Sequence, residues 1–198
     1  MLFDPRLYVI IDASEKALAV AKQAIAGGVT AIQLRDKKAT ALHLVTFGQK
    51  LHALTREYNT PLFVNDRVDV AMAINAEGIH IGQDDMPLVF ARKIIGSKKI
   101  IGVSVQTVEQ ARQAEQDGAD YLGCGPVFPT MSKADASSPI GLTGLAAVAA
   151  SVSVPVIAIG GIDHTNIRDV RGKGVAGVAV ISAIMEASDP RKAATMLK

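Results

Sequence analysis

Hydrophobic and polar positions along the chain follow two alternating periods. Short β-branched runs at 7–11, 31–35, 61–65, 78–81, 100–104, 121–125, 155–160 and 177–182 read as strands. Amphipathic or Ala-rich stretches at about 16–26, 40–58, 67–75, 87–95, 107–117, 141–151, 165–172 and 188–197 read as helices. Gly27-Gly28, Gly78, Gly118 and Gly174 fall where helix C-caps are expected. Strands alternating with helices predict parallel strands joined by crossovers, at about 25 residues per unit. Eight such units with no spare segment predict an α/β fold, a closed (βα)8 TIM barrel, formed by residues 1–198 as a single compact domain. An open doubly wound sheet normally opens on a Gly-rich turn. Here the first turn is Asp12-Ala13-Ser14-Glu15.

Composition narrows the partners. The 198 residues are 49% hydrophobic and 20% charged, a globular balance with enough chain for one packed core. A net charge of +2, with Lys98-Lys99 as the densest basic spot, gives no electrostatic footprint for nucleic acid. Absence of Trp also argues against base-stacking platforms. The lone Cys124 excludes an internal disulfide and a thiolate zinc cluster, which suits a reducing cytoplasm. The first residues, Met1 to Arg6, lack a signal-peptide layout. The uncharged stretch 136–162 is interrupted by Ser151, Ser153, Pro155, Gly160 and Gly161, and reads as a helix and a strand rather than a membrane span.

In a barrel of this kind chemistry sits at the C-terminal ends of the strands. Alternation in the second strand turns Ile32 and Leu34 toward the helices. It turns Gln33, Arg35 and Lys37 toward the barrel interior or its mouth. Two cations there suit an anion, most simply a phosphate. The third and fourth strands end in Asn65-Asp66-Arg67 and Gly82-Gln83-Asp84-Asp85. Asp66 can therefore face Asp84 or Asp85, and such a pair can hold magnesium completed by substrate phosphates. Helix capping is an equal role for Asp84 and the better one for Asp69, inside the next helix.

The fifth strand ends at Ser104. The sixth leads into a long loop, 127–140, containing Pro129-Thr130-Met131-Ser132-Lys133, a composition suited to a phosphate lid. Gly160-Gly161 and Ile181-Ser182 lie after the seventh and eighth strands, where barrels commonly bind phosphate through backbone amides. Cys124 reads as a small core residue. His43 and His52 are expected on a helix surface, His164 just before a helix capped by Thr165, and His80 in a structural place on the fourth strand.

The blocks Gln33-Leu34-Arg35-Asp36-Lys37, Asn65-Asp66-Arg67-Val68-Asp69, His80-Ile81-Gly82-Gln83-Asp84-Asp85, Gly102-Val103-Ser104, Gly123-Cys124-Gly125-Pro126-Val127-Phe128-Pro129-Thr130 and Ala158-Ile159-Gly160-Gly161-Ile162 occur in this order. Together they resemble thiamine phosphate synthase over nearly the whole chain. The resemblance implies a magnesium-dependent transferase of thiamine biosynthesis. It couples hydroxymethylpyrimidine diphosphate to hydroxyethylthiazole phosphate and releases pyrophosphate.

The resemblance also implies roles. Gln33, Arg35, Lys37, Asn65, Ser104 and Lys133 hold the pyrimidine diphosphate, with Arg35, Lys37, Ser104 and Lys133 acting in catalysis. Asp66 and Asp85 carry Mg2+. Thr130, Ser132, Gly161, Ile181 and Ser182 hold the thiazole phosphate. Two departures stand out. The family's Thr-x-Thr-Lys reads Thr130-Met131-Ser132-Lys133 here, which keeps the hydroxyl. The family's frequent Glu before the second metal Asp is Asp84 here, which leaves a choice between Asp84 and Asp85 that favours Asp85.

A dissociative displacement needs its leaving charge neutralised and water excluded, and it needs no general base. A thiazole tautomerase is the nearest rival, but that family tends to place a His where this chain has Pro126. A non-catalytic phosphate-ligand sensor on the same barrel is the rival of another class. The implied partners are phosphorylated small molecules, with no nucleic acid and no membrane. A homo-oligomer is left open.

Overall fold

The computed structural model describes residues 3–130, 132 and 138–198. Among them, eight strands close into one parallel barrel in chain order. These are β1 (Leu7–Ile11), β2 (Ala31–Leu34), β3 (Leu62–Asn65), β4 (Gly78–Ile81), β5 (Ile100–Val105), β6 (Tyr121–Cys124), β7 (Val156–Ile159) and β8 (Gly177–Val180). The ring is sealed by β8 pairing with β1, Val178 opposite Leu7 and Val180 opposite Val9. Around it run α1 (Glu15–Ala26), α2 (Ala41–Glu57), α3 (Val68–Ala73), α4 (Leu88–Ile95), α5 (Val108–Gln116), α6 (Gly141–Ala150), α7 (Ile167–Arg171), α8 (Ser182–Met185) and α9 (Pro190–Met196). None of the described helices is long and apolar enough to cross a membrane.

Strand alternation divides the apolar residues into two cores. The larger lies between barrel and helices and takes the outward residues of each strand, such as Ile32, Leu34, Ile79, Ile101 and Leu122. The smaller fills the barrel interior with Tyr8, Ile10, Ala31, Phe63, Ile100, Tyr121, Ile157 and Ala179. Phe3 closes the lower end of that interior, its ring centroid 5.0 Å from Phe63 and 5.3 Å from Tyr121.

The helices start where local chemistry satisfies their first amides. Thr107 and Gln110 form a reciprocal capping box on α5. The Thr40 side chain accepts from His43 N at α2, and Asp189 accepts from Lys192 N at α9, behind Pro190. Partly buried carboxylates tie the lower loops: Asp120 accepts from Ile101 N and Arg92, and Glu77 accepts from Leu62 N and pairs with His52.

The structure corrects four sequence expectations. β2 stops at Leu34 and β8 at Val180, so Arg35, Ile181 and Ser182 lie beyond the strands. The extra helix α8 was not expected; its one turn of Ser-Ala-Ile-Met is too short to show a helical period. His52 is buried, its ring nitrogen 3.0 Å from Glu77, because the α2 face carrying it packs inward. The helix after β7 starts at Ile167 behind Asn166, while Thr165 bonds back to Asp163 and caps nothing.

Barrel closure fixes the room available inside. A Cβ added at Gly102 would lie 2.1 Å from the Tyr121 ring. Gly102→Ala should therefore destabilise the protein by about 1–3 kcal/mol, the usual range for overpacking a dense core. Gly172 ends α7 at φ −66°, and a Cβ there meets nothing closer than 3.6 Å. Gly172→Ala should be neutral or stabilising by up to about 1 kcal/mol. Urea denaturation of the two variants tests the contrast.

Candidate active site

The C-terminal ends of the strands open on one cavity of about 740 Å³. Its wall carries Arg35 and Lys37 from the β2 end and Asn65 and Asp66 from the β3 end. Asp84 and Asp85 come from the β4 end and Ser104 from β5. Thr130, Ser132, Gly160, Gly161, Ile181 and Ser182 complete the opposite rim. The structure thus brings together the strand-end residues singled out above, with two exceptions. Lys133 lies outside the described residues. Gln33 does not line the cavity; it is buried inside the barrel, and its Nε2 donates to Tyr8 Oη at 3.1 Å.

Asp66 is the electrostatic centre of the site. It follows β3 directly and has a φ of 60°, a left-handed conformation that Asp and Asn tolerate better than other residues with a Cβ. Its backbone N–H donates to His80 O at 2.8 Å, which carries the β3–β4 pairing one residue further. Its carboxyl hydrogen-bonds to Asp85, whose Oδ2 also accepts from Gly82 N at 2.7 Å. Burial, then the hydrogen bond and charge of Asp85, push the Asp66 carboxyl up to about 6. Lys37 and Arg35 oppose that rise, and Lys37 Nζ lies 4.0 Å from Asp66 Oδ2. Asp84 lines the cavity as an exposed side chain. Asp69 turns away and is clasped by Arg67.

Across the mouth, Ser132 Oγ donates to Ser182 Oγ at 3.2 Å, joining the loop after β6 to the start of α8. Gly160 and Gly161 have positive φ, and they also make room for that loop. A Cβ at Gly160 would lie 2.5 Å from Pro126, and one at Gly161 would lie 2.7 Å from Phe128. Cys124 is fully buried and points into the outer core, and burial pushes its thiol up to about 12, which suits packing and not nucleophilic attack.

Beneath the floor sits a chain of polar groups that the sequence did not reveal as one unit. Tyr8 Oη lies 3.2 Å from Tyr121 Oη. His80 spans from Tyr121 Oη, 3.0 Å from its Nδ1, to Ser104 Oγ, 2.9 Å from its Nε2. Gln106, Asp163 and Glu186 also line the cavity and were not singled out. Gln106 directly follows β5, so strand-end position alone could have flagged it. Glu186 follows the unexpected α8 and carried no such signal.

Two carboxylates without a third acidic or sulfur ligand among the described residues form an incomplete metal site. That donor set fits magnesium, which accepts one or two carboxylates and takes its other oxygens from substrate phosphates and water.

The chain matches the sequence model of a family described as thiamine monophosphate synthase over residues 7–184. It is 48% identical to thiamine-phosphate synthase of Chloroflexus aurantiacus, covering 100% of this chain and 93% of that one. It is 49% identical to thiamine-phosphate synthase of Moorella thermoacetica, covering 97% and 93% respectively. Among solved structures it resembles thiamine phosphate pyrophosphorylase from Pyrococcus furiosus. The TM-score is 0.89 at 46% identity, over 98% of this chain and 94% of that one.

The raised Asp66 carboxyl has a defined pH signature. As pH rises from about 3.8 to about 6, the folded state keeps a proton that the unfolded chain has lost. Stability therefore falls across that window. Asp66→Asn removes this penalty and keeps the left-handed residue type. Without divalent cations it should be more stable than the parent above pH 6, on the order of 1 kcal/mol after solvent screening, and equal to it below pH 3.8. Thermal melts at pH 8 and pH 3.5 decide; equal stability at both would show that the pair does not repel. Magnesium should raise the melting temperature of the parent and not of the variant.

Proposed function

The chain belongs to the thiamine monophosphate synthase family, and we propose that it couples hydroxymethylpyrimidine diphosphate to hydroxyethylthiazole phosphate, giving thiamine phosphate and pyrophosphate. Membership makes it an enzyme of the transferase class. The observation that carries the finer reading is the convergence of two cations, a carboxylate pair and a glycine–serine rim on a single cavity. Such a cavity can take an anionic diphosphate on one side and a second phosphate on the other.

The reaction follows from what these groups can do. Arg35 and Lys37 face the diphosphate and, with Lys133, offset the charge that grows on the leaving pyrophosphate. Asn65 and Ser104 fix the pyrimidine diphosphate. Asp66 and Asp85 would hold magnesium, which supplies further charge neutralisation on the diphosphate oxygens. Thr130, Ser132, Gly161, Ile181 and Ser182 would hold the thiazole phosphate through hydroxyls and backbone amides.

The C–O bond to the diphosphate breaks first, and the electron-rich aminopyrimidine carries the resulting benzylic-type charge. The thiazole nitrogen then donates its lone pair to that carbon. The bond formed needs no proton removed from the nucleophile, so the site requires positioning and charge rather than a base. The position where a tautomerase tends to carry His is Pro126, which lines the cavity here and can neither donate nor accept a proton. The lone, buried Cys124 suits a cytoplasmic setting.

Pyrophosphate release should require both substrates and magnesium, with thiamine phosphate appearing in equal amount. Arg35→Ala should lower kcat about a hundredfold, the usual scale for losing one charge-stabilising group. No release from folded protein that binds thiazole phosphate tightly would instead indicate a tautomerase or a sensor.

A further inference from the structure

Inside the barrel the inward positions of four neighbouring strands carry an unusual set: Phe63 and Asn65 on β3, Gly78 and His80 on β4, Gly102 and Ser104 on β5, Tyr121 and Gly123 on β6. The glycines are there for the rings. A Cβ at Gly102 would lie 2.1 Å from the Tyr121 ring, and one at Gly123 would lie 2.8 Å from the His80 imidazole. The interior is therefore shaped to let an imidazole and a phenol lie across two strands, linking the buried floor to Ser104 at the cavity.

All the hydrogen bonds of this chain are satisfied when they run in one direction, from Gln33 to Ser104. Gln33 Nε2 can only donate, and it donates to Tyr8 Oη. Tyr8 has accepted, so its own proton goes to Tyr121 Oη. Tyr121 in turn gives its proton to Nδ1 of His80. The imidazole then carries its proton on Nε2 and donates to Ser104 Oγ. Ser104, having accepted, keeps its own hydroxyl proton to give, and it lines the cavity. In the reverse direction the Tyr8 proton would meet no further acceptor among the described residues, at a cost that native cores avoid. Burial pushes both phenols upward, so both remain neutral donors.

We propose that His80 is a positioning residue for the coupling reaction. With Gln33, Tyr8 and Tyr121 it holds Ser104 Oγ from beneath by donating to it, which leaves the serine proton to donate to an unprotonated acceptor atom of the pyrimidine diphosphate. The proposal rests on the synthase reading above. A free serine oxygen offers a ligand two lone pairs; this one already uses one of them for His80 before substrate arrives, which biases it toward donating. It thus favours an acceptor and, already held by His80, loses less side-chain freedom on binding. Gln33 acts from beneath, through the chain.

The test is Tyr121→Phe, which keeps the ring that packs over Gly102 and removes the donor to His80. Its kcat/KM for the pyrimidine diphosphate should fall about tenfold, the scale of one well-directed hydrogen bond, while KM for the thiazole phosphate stays the same. Ser104→Ala should lose a similar factor, and adding Tyr121→Phe to it should cost nothing more. Nitrogen NMR of ¹⁵N-histidine-labelled protein without substrates should show His80 protonated on Nε2. Tyr121→Phe should raise the Nδ1-protonated form.

Wild-type kinetics in Tyr121→Phe, a loss that persists in the Ser104→Ala background, or an Nδ1-protonated His80 in the parent would each overturn the proposal. If Tyr121→Phe does not fold, Tyr8→Phe removes the group that directs the Tyr121 proton, and it should raise the Nδ1-protonated form of His80 with a smaller loss of the same kind. If the parent releases no pyrophosphate, the synthase reading fails; the NMR measurement needs no turnover and still decides the direction of the chain.

Discussion

A closed barrel of eight strands holds a fixed amount of side chain, and the rest of this protein is arranged around that limit. Every second residue of every strand points into a tube of set width. Phe3, Tyr8, Phe63 and Tyr121 fill its lower half with touching rings. Space for them comes from Gly78 beside Phe63 and Gly102 beside Tyr121 on adjoining strands. Where the large rings stop, the filling stops, and the cavity begins. The floor of the site is thus set by packing, and the identity of its lowest groups follows from which polar atoms those rings leave to be satisfied.

Above the floor the design changes from packing to charge. Unlike charges converge on one residue: Lys37 lies 4.0 Å from Asp66, at the edge of ion-pair distance, and Asp66 also meets the carboxylate of Asp85. A surface selected for stability alone would separate Asp66 from Asp85 and would not place Asp66 at positive φ. Strain and repulsion at one residue, in a cavity, are the marks of a site whose balance is completed by a ligand. The raised carboxyl is the measurable sign of that incompleteness.

Eight strands at regular spacing were legible because their apolar runs are short, β-branched and separated by glycine caps. The strand-end rule then led from β2, β3, β4 and β5 to Arg35, Lys37, Asn65, Asp66, Asp85 and Ser104, all on the cavity wall. What was not legible has physical reasons. α8 is one turn long and carries no period. Burial of His52 depends on Glu77, 25 residues away, and sequence spacing holds no record of that meeting. Gln33 was read correctly as facing inward. Its depth depends on where β2 ends and on Tyr8, a residue of another strand. Tyr8, Tyr121 and His80 each look like ordinary strand residues; only closure of the barrel, which sets β1 and β6 facing each other across its interior, turns them into one chain.

Two kinds of residue therefore share the site. Those beyond the strand ends, on loops, carry charge and can adapt to a substrate. Those on the strands' inner faces are buried or half-buried, hemmed in by glycines on one side and rings on the other. An adaptable charged layer without a fixed one beneath it would bind many phosphorylated compounds equally well. A rigid polar floor adds discrimination, since a buried donor left without its acceptor is penalised, and the wrong ligand meets that penalty in full. Selectivity in such a barrel is then expected to rise from the floor, and rate from the rim.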